Sequence, residues 1–160
     1  MAKVIYQSLW GEKTIGFGRI LLRLGVNKGK TGKNEQALNY YKKSLDIRVK
    51  LLGEGHLDVA DSYNNMGNVY YGMRNDEQAL KYYKKSLDIQ VKSLGEEHLD
   101  IADCYNNMGN VYYSMGNSEE ALKYYRMSLN IKVKSLGEEH PQLGASYNNI
   151  GMVYSDMGNS

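Results

Sequence analysis

The chain has 160 residues, enough for one domain, and its 42% hydrophobic and 24% charged residues are typical of soluble proteins. Its 20 Lys and Arg nearly balance its 18 Asp and Glu, which excludes the strongly basic surface that binds nucleic acid or an anionic membrane. No stretch reaches the roughly 18 apolar residues of a membrane span. The single Cys excludes an intrachain disulfide, and residues 1–30 contain no secretory core, so we expect a reducing, cytoplasmic setting.

One segment recurs three times along the chain with almost the same residues. Its copies, at residues 62–70, 104–112 and 146–154, begin 42 residues apart (104 minus 62, and 146 minus 104). Self-similarity at such a period predicts a stacked repeat array. We expect a degenerate partial repeat or an N-terminal cap at residues 1–19. Repeats should then follow at 20–56 (with a divergent first helix), 57–98, 99–140 and 141–160, the last truncated to its first helix.

Each repeat is predicted to contain two helices joined by a tight turn. Apolar residues spaced three or four apart place one stripe on each helix of residues 57–98. On the first helix the stripe is Ala60, Tyr63, Met66, Gly67, Tyr70 and Met73, and on the second it is Leu80, Tyr83, Leu87, Val91 and Leu94. Between two such helices, Gly116 fits a left-handed cap, and Asp76 or Ser118 can accept bonds from the first amides of the next helix.

Three glycines recur in the middle of a predicted helix, at positions 67, 109 and 151. A glycine there costs about 1 kcal/mol relative to alanine. Its recurrence indicates a close approach of the paired helix, which we expect near Ala79 and Ala121.

These residues carry a resemblance to a known family. An aromatic, a Met-Gly pair and a second aromatic on the first helix (Tyr63, Met66, Gly67, Tyr70) accompany Ala79, Tyr83 and Ser86 on the second. The pattern resembles the tetratricopeptide repeat, in the 42-residue form of kinesin light chains. The resemblance implies an all-α fold, a right-handed superhelical α-solenoid of antiparallel helix pairs. The family's helix-ending Pro is replaced by Val91 and Val133, so the second helix should run on. Residues 13–33 keep only Gly25 of the first-helix signature, and Trp10 is a candidate cover for that end.

For each candidate catalytic, nucleotide-binding or metal site in the sequence, a simpler structural interpretation is favoured. Gly29-Lys30-Thr31 has its leading glycine one residue too close for a phosphate-binding loop. His56, His98 and His140 are one repeat step apart, on the order of 10 Å, too far to share one zinc ion. They are predicted to act at helix starts instead, and Cys104 is predicted to be an inert small residue. We therefore predict no catalytic residues, no metal and no cofactor.

The remaining candidate site is a stripe of asparagines and tyrosines on the first helices. The resemblance implies that these helices line the concave face of the array. Asparagine is a poor helix former, and its amide can both donate to and accept from a peptide backbone. We call the following set the Asn stripe and predict that it contacts a peptide: Asn64, Asn68, Tyr71, Asn106, Asn110, Tyr113 and Asn148. A structural role across the stack is the alternative, which we favour for Asn65, Asn107 and Asn149.

The expected partner is a protein or peptide. Family members that bind acidic peptides carry Lys or Arg in this groove, whereas this chain has Asn and Asp there, so we expect a neutral or mildly basic peptide. The alternative is a structural module that forms a weak homo-oligomer through its ends, where Tyr147, Ile150 and Tyr154 leave an apolar surface. A third alternative, an enzyme, would need nucleotide binding at Lys30.

Overall fold

The structure, a computed structural model, describes residues 16, 18–29 and 32–158. Every regular element in these ranges is a helix. The elements are α1 (residues 18–29), α2 (Asn34–Leu52), α3 (Leu57–Gly72), α4 (Asp76–Leu94), α5 (Leu99–Ser114), α6 (Ser118–Leu136) and α7 (Leu143–Gly158). Helices α3 and α4 pack as one hairpin, α5 and α6 as the next, and each hairpin stacks on its sequence neighbours. The predicted array is confirmed for this part of the chain; Trp10 and Lys30 lie outside it.

Two contacts show that the helices of a hairpin run antiparallel. The Ser86 hydroxyl donates to the Ala60 carbonyl at 2.8 Å, while the Tyr83 ring lies against Gly67. Residue numbers therefore increase along α3 in the direction in which they decrease along α4. In α2 the equivalent Ser44 hydroxyl donates to the carbonyl of Gly18 at 2.7 Å, so α1 and α2 pair in the same way.

The mid-helix glycines make the close approach that the sequence predicts, but the approaching group differs from the expected one. A Cβ at Gly67 would lie 2.6 Å from the Tyr83 ring, and at Gly109 it would lie 2.7 Å from the Tyr125 ring. Such distances are not tolerated between real atoms, so these positions require glycine. Ala79 and Ala121 are fully buried in the same clusters, but the tyrosine ring makes the glycine contact.

The buried stripe of the second helices also differs from the prediction. Leu80, Leu87, Val91 and Leu94 are only half-buried in α4. The buried set is instead Ala79, Tyr83, Ser86 and Gln90. This stripe alternates small and large residues, and the small ones let the paired backbones approach until a serine hydroxyl reaches a facing carbonyl. Helix α4 runs through Val91 to Leu94, as the missing proline predicts.

The turns are fixed by side-chain caps. The caps of α4 and α6 are Asn75 and Asn117, whose side chains accept from Gln78 and Glu120 amides at 3.2 Å, one residue before the predicted Asp76 and Ser118. Gly116 has the predicted left-handed backbone, with φ of 75°.

The histidines do act at helix starts. Each Nδ1 accepts a backbone amide two residues on, for His56 from Asp58 at 3.1 Å and for His98 from Asp100 at 3.2 Å. At His140 the donor is the Gln142 amide at 3.3 Å. Helix α7 begins only at Leu143, because Pro141 and Gln142 form a turn before it.

Two alanine substitutions at equivalent glycines should have opposite effects on stability. Gly109→Ala forces a methyl group into the Tyr125 ring and should lower the free energy of unfolding by about 1–3 kcal/mol. Gly151→Ala meets nothing within 4 Å and should raise it by about 0.5–1 kcal/mol through helix propensity. Urea unfolding of both variants measures the difference. Equal effects at the two positions would contradict the packing described above.

Candidate functional site

Tyrosine hydroxyls hold two amides of the Asn stripe. The Tyr83 hydroxyl donates to Asn68 Oδ1 at 2.6 Å, and the Tyr125 hydroxyl donates to Asn110 Oδ1 at 2.7 Å. Each bond joins the two helices of one hairpin next to the glycine contact. Because Oδ1 already accepts a hydrogen bond, the Nδ2 group is the part of each amide that is left to meet a ligand.

A second set of bonds crosses from one repeat to the next. Asn107 Nδ2 donates to Asn64 Oδ1 at 3.4 Å, and Asn149 Nδ2 donates to Asn106 Oδ1 at 3.0 Å. The structural role predicted for Asn107 and Asn149 is confirmed, and it also occupies one acceptor on Asn64 and Asn106.

Asn65 makes a different bond from its counterparts. Its Nδ2 donates to the Asp61 carbonyl of its own helix at 2.9 Å. The partner one repeat earlier would be position 22 (64 minus 42), which holds Leu22, an apolar residue. Asn65 therefore has no amide to reach across the stack and bonds within α3 instead.

The two tyrosines of the Asn stripe are only half-buried, and Asn148 is exposed on α7. Tyr71 packs against the cluster that contains Tyr83, and Tyr113 packs against the one that contains Tyr125. The Tyr113 hydroxyl donates to the Asp156 carboxylate, and this hydrogen bond raises the Tyr113 pKa. Each tyrosine presents one part to the core and another part to solvent.

A pocket of about 420 Å³ adjoins the first hairpin and extends the Asn stripe. Asn68 lines it together with Val26 and the buried Tyr41. Tyr41 is the counterpart of Tyr83, but the place of Asn68 in that repeat (68 minus 42) is held by Val26. The Tyr41 hydroxyl therefore has no asparagine partner there. This pocket was not predicted from the sequence, although the change from Asn to Val at position 26 was its signal.

The single cysteine has the environment of an unreactive residue. Cys104 is buried, and its thiol donates to the Tyr83 carbonyl at 3.4 Å. Burial raises the pKa of the thiol to about 12, so the nucleophilic thiolate is scarce at neutral pH.

None of the helices that the structure describes has the length and apolar character that a membrane span requires.

The helical stack and its polar face define the class of α-solenoid repeat proteins. A model of the tetratricopeptide repeat family matches residues 17–90, 62–132 and 105–160. The chain therefore belongs to the tetratricopeptide repeat family, and its type is kinesin-light-chain-like. Repeats of this family generally mediate protein–protein interaction, and its scaffold proteins are generally non-enzymatic.

Solved structures show the same fold. BtubC (BKLC) from P. vanneervenii is 27% identical with a TM-score of 0.79, and the match covers 88% of this chain and 56% of that one. A putative kinesin light chain of Podosopora anserina with nearly identical TPR-like repeats is 22% identical with a TM-score of 0.75, over 88% and 66%. The N-terminal domain of stress-induced protein-1 from C. elegans is 14% identical with a TM-score of 0.65, over 88% and 97%. No curated protein matches the chain. The chain thus spans little more than half of the BtubC chain.

Removing one hydroxyl should weaken the hairpin and change its response to alkaline pH. Tyr125→Phe loses the bond to Asn110, and we expect a loss of about 1 kcal/mol at neutral pH. Burial raises the Tyr125 pKa from 10.0 to about 12, so its contribution is complete below pH 10 and is lost as the pH rises from 10 to 12.

The measurement is the free energy of unfolding of both proteins across this pH range. The parent should lose stability more steeply than the variant. Parallel curves would contradict the buried, neutral Tyr125 hydroxyl.

Proposed function

We propose that the chain is a protein-interaction scaffold, or adaptor, that binds an extended or helical peptide along the Asn stripe. The carrying observation is the pair of amides at Asn68 and Asn110, each fixed by a tyrosine hydroxyl. An amide whose orientation is already set loses little side-chain entropy when it donates to a peptide carbonyl. Repetition of the arrangement in adjacent hairpins suits an extended ligand, whose carbonyls recur along its length.

The charges of this face support a neutral or mildly basic peptide. The stripe itself has no Lys or Arg, and Asp61 and Asp103 adjoin it on α3 and α5. A carboxylate-rich ligand would gain no charge-assisted bonds from asparagine amides. We further propose a reducing, cytoplasmic setting, in keeping with one buried cysteine.

A second candidate function is self-association through α7. Its outer face exposes Tyr147, Tyr154 and Met157, which are 53%, 48% and 46% accessible. Apolar surface of this kind can stack head to tail with another copy. Light scattering over a range of concentrations distinguishes this candidate, which requires the mass to rise with concentration.

An isosteric double substitution tests the peptide groove. We expect peptides selected from a random display library by the parent to bind Asn68→Asp/Asn110→Asp at least tenfold more weakly. The Asp side chains keep an oxygen for the tyrosine hydroxyls but lose the Nδ2 donors, and tenfold corresponds to about 1.4 kcal/mol. Isothermal titration with an uncharged selected peptide is the measurement.

The matched control is Asn39→Asp/Asn130→Asp, which makes the same charge change at exposed positions of α2 and α6. It should bind like the parent. Equal binding by both double variants would show that the peptide lies elsewhere, and failure of the parent to select any peptide would leave self-association as the better candidate.

A further inference from the structure

One internal position differs in charge between the repeats. Positions 48, 90 and 132, which are 42 residues apart, hold Arg48, Gln90 and Lys132 on α2, α4 and α6. Each lies on the second helix of its repeat, on the side that faces the first helices. The middle repeat alone of these three has no cation there.

The two cations bond to the facing first helices. Arg48 is 6% exposed; its guanidinium donates to the Asp58 carbonyl and to Ser62 Oγ at 3.1 Å, and it lies 3.8 Å from the Asp58 carboxylate. Lys132 Nζ lies 2.9 Å from the Asp103 carboxylate. Asp58 and Asp103 therefore each have a positively charged partner within the chain.

In the middle repeat Gln90 is uncharged and forms no ion pair with the acidic residues beside it. A pocket of about 190 Å³ opens at Gln90, and its lining is Asp61, Asn64, Gln90, Asp100, Asp103 and Cys104. Burial raises the pKa of Asp61, and the Asp58 and Asp100 carboxylates add to the rise, whereas Arg48 and His56 oppose it.

Gln90 provides a second, independent sign of a missing ligand. The residue is 7% exposed, and within the described part of the chain its buried Oε1 has no hydrogen-bond donor. A buried acceptor left without a donor costs about 1–3 kcal/mol, so a donor at this place would be favourable.

We infer that this pocket binds the cationic end of a partner side chain, an arginine of the bound peptide, which would take the role that Arg48 and Lys132 have beside Asp58 and Asp103. The inference rests on the proposed function, since Asn64 joins the pocket to the Asn stripe. Arginine fits because its planar fork has five donors that can meet the Asp61 and Asp100 carboxylates and the Gln90 oxygen. The volume is below the roughly 300–1,000 Å³ of small-molecule sites, so it suits the end of one side chain.

A metal ion is a poorer occupant. No group of three or more His, Cys, Asp or Glu side chains within the described residues is arranged to hold one. Three acidic residues line the pocket, and one of them, Asp103, is already paired with Lys132. Acceptors distributed in this way suit the planar guanidinium of an arginine better than a single metal ion.

The test uses N-acetyl-arginine methylamide as the probe and its citrulline analogue, neutral and of the same shape, as the control. In nitrogen-15 correlation spectra of the parent, the arginine probe should shift the backbone amides of Asp61, Asn64 and Asp100 saturably, with a dissociation constant on the order of millimolar. The citrulline analogue should not.

Two variants make the result specific. Gln90→Arg supplies the cation from within, and Asp61→Asn removes one negative charge from the pocket. Each should weaken binding of the arginine probe at least tenfold. Equal shifts by citrulline, unchanged binding by both variants, or no saturable shift in the parent would overturn the inference.

Panning separates this outcome from that of the proposed function. Peptides selected by the parent should carry an arginine at a fixed place, and those selected by Gln90→Arg should not. Selected peptides with no basic residue would overturn the inference and leave the peptide groove standing. Binding of the arginine probe without any selected peptide would support the pocket and contradict the groove.

Discussion

The contact between a mid-helix glycine and a tyrosine ring is the constraint on which the rest of the structure depends. It recurs at Gly25, Gly67 and Gly109, where an added Cβ would lie 2.5–2.7 Å from the ring of the paired helix. Because no side chain separates them, the two helices approach closely enough for the Ser86 hydroxyl to reach the Ala60 carbonyl. The same ring directs its hydroxyl to Asn68. One contact therefore fixes the packing of the hairpin and the orientation of an amide on its polar face.

The proposed contact with the peptide backbone uses amides that adjacent repeats share, whereas the proposed preference for an arginine depends on a place where the repeats differ. A residue identical in every repeat serves the hairpin or the stack, as Gly109 and Tyr125 do. Val26 in place of Asn68 opens a pocket beside Tyr41, and Gln90 in place of Arg48 puts an uncharged side chain beside Asp61 and Asp100. Each of these substitutions changes the polarity at one position, while the residues that pack the repeats stay the same. An array of this kind can acquire a new specificity by single substitutions, because the neighbouring repeats continue to hold the fold.

Much of the fold could be predicted because its signals are local or periodic. The spacing of apolar residues gave the helix pairs, and the recurrence of Gly67 gave the close approach. The helix-start role of His98 also followed from residue type and place in the repeat. These inferences need only the repeat period and the preferences of single residues.

The hydrogen bonds of the site could not be predicted in the same way. Asn68 and Tyr83 are 15 residues apart on different helices, so their hydrogen bond depends on how closely the Tyr83 ring packs against Gly67. Asn65 and Asn107 occupy equivalent positions yet bond differently, because Leu22 replaces the amide that Asn65 would otherwise meet. The buried stripe of α4 was misplaced for a related reason: it follows Ser86 and Gln90, polar residues whose burial is decided by the facing helix.

The central claim is that tyrosine hydroxyls hold the amides that bind the partner. The most direct measurement follows the side-chain Nδ2 resonances of Asn68 and Asn110 by NMR while a selected peptide is added to the parent and to Tyr83→Phe/Tyr125→Phe. We expect both resonances to shift in the parent. We expect the double variant to stay folded but to bind the peptide more weakly, with broader side-chain signals. Side-chain resonances that do not move when the peptide binds the parent, or equal binding by the double variant, would contradict it.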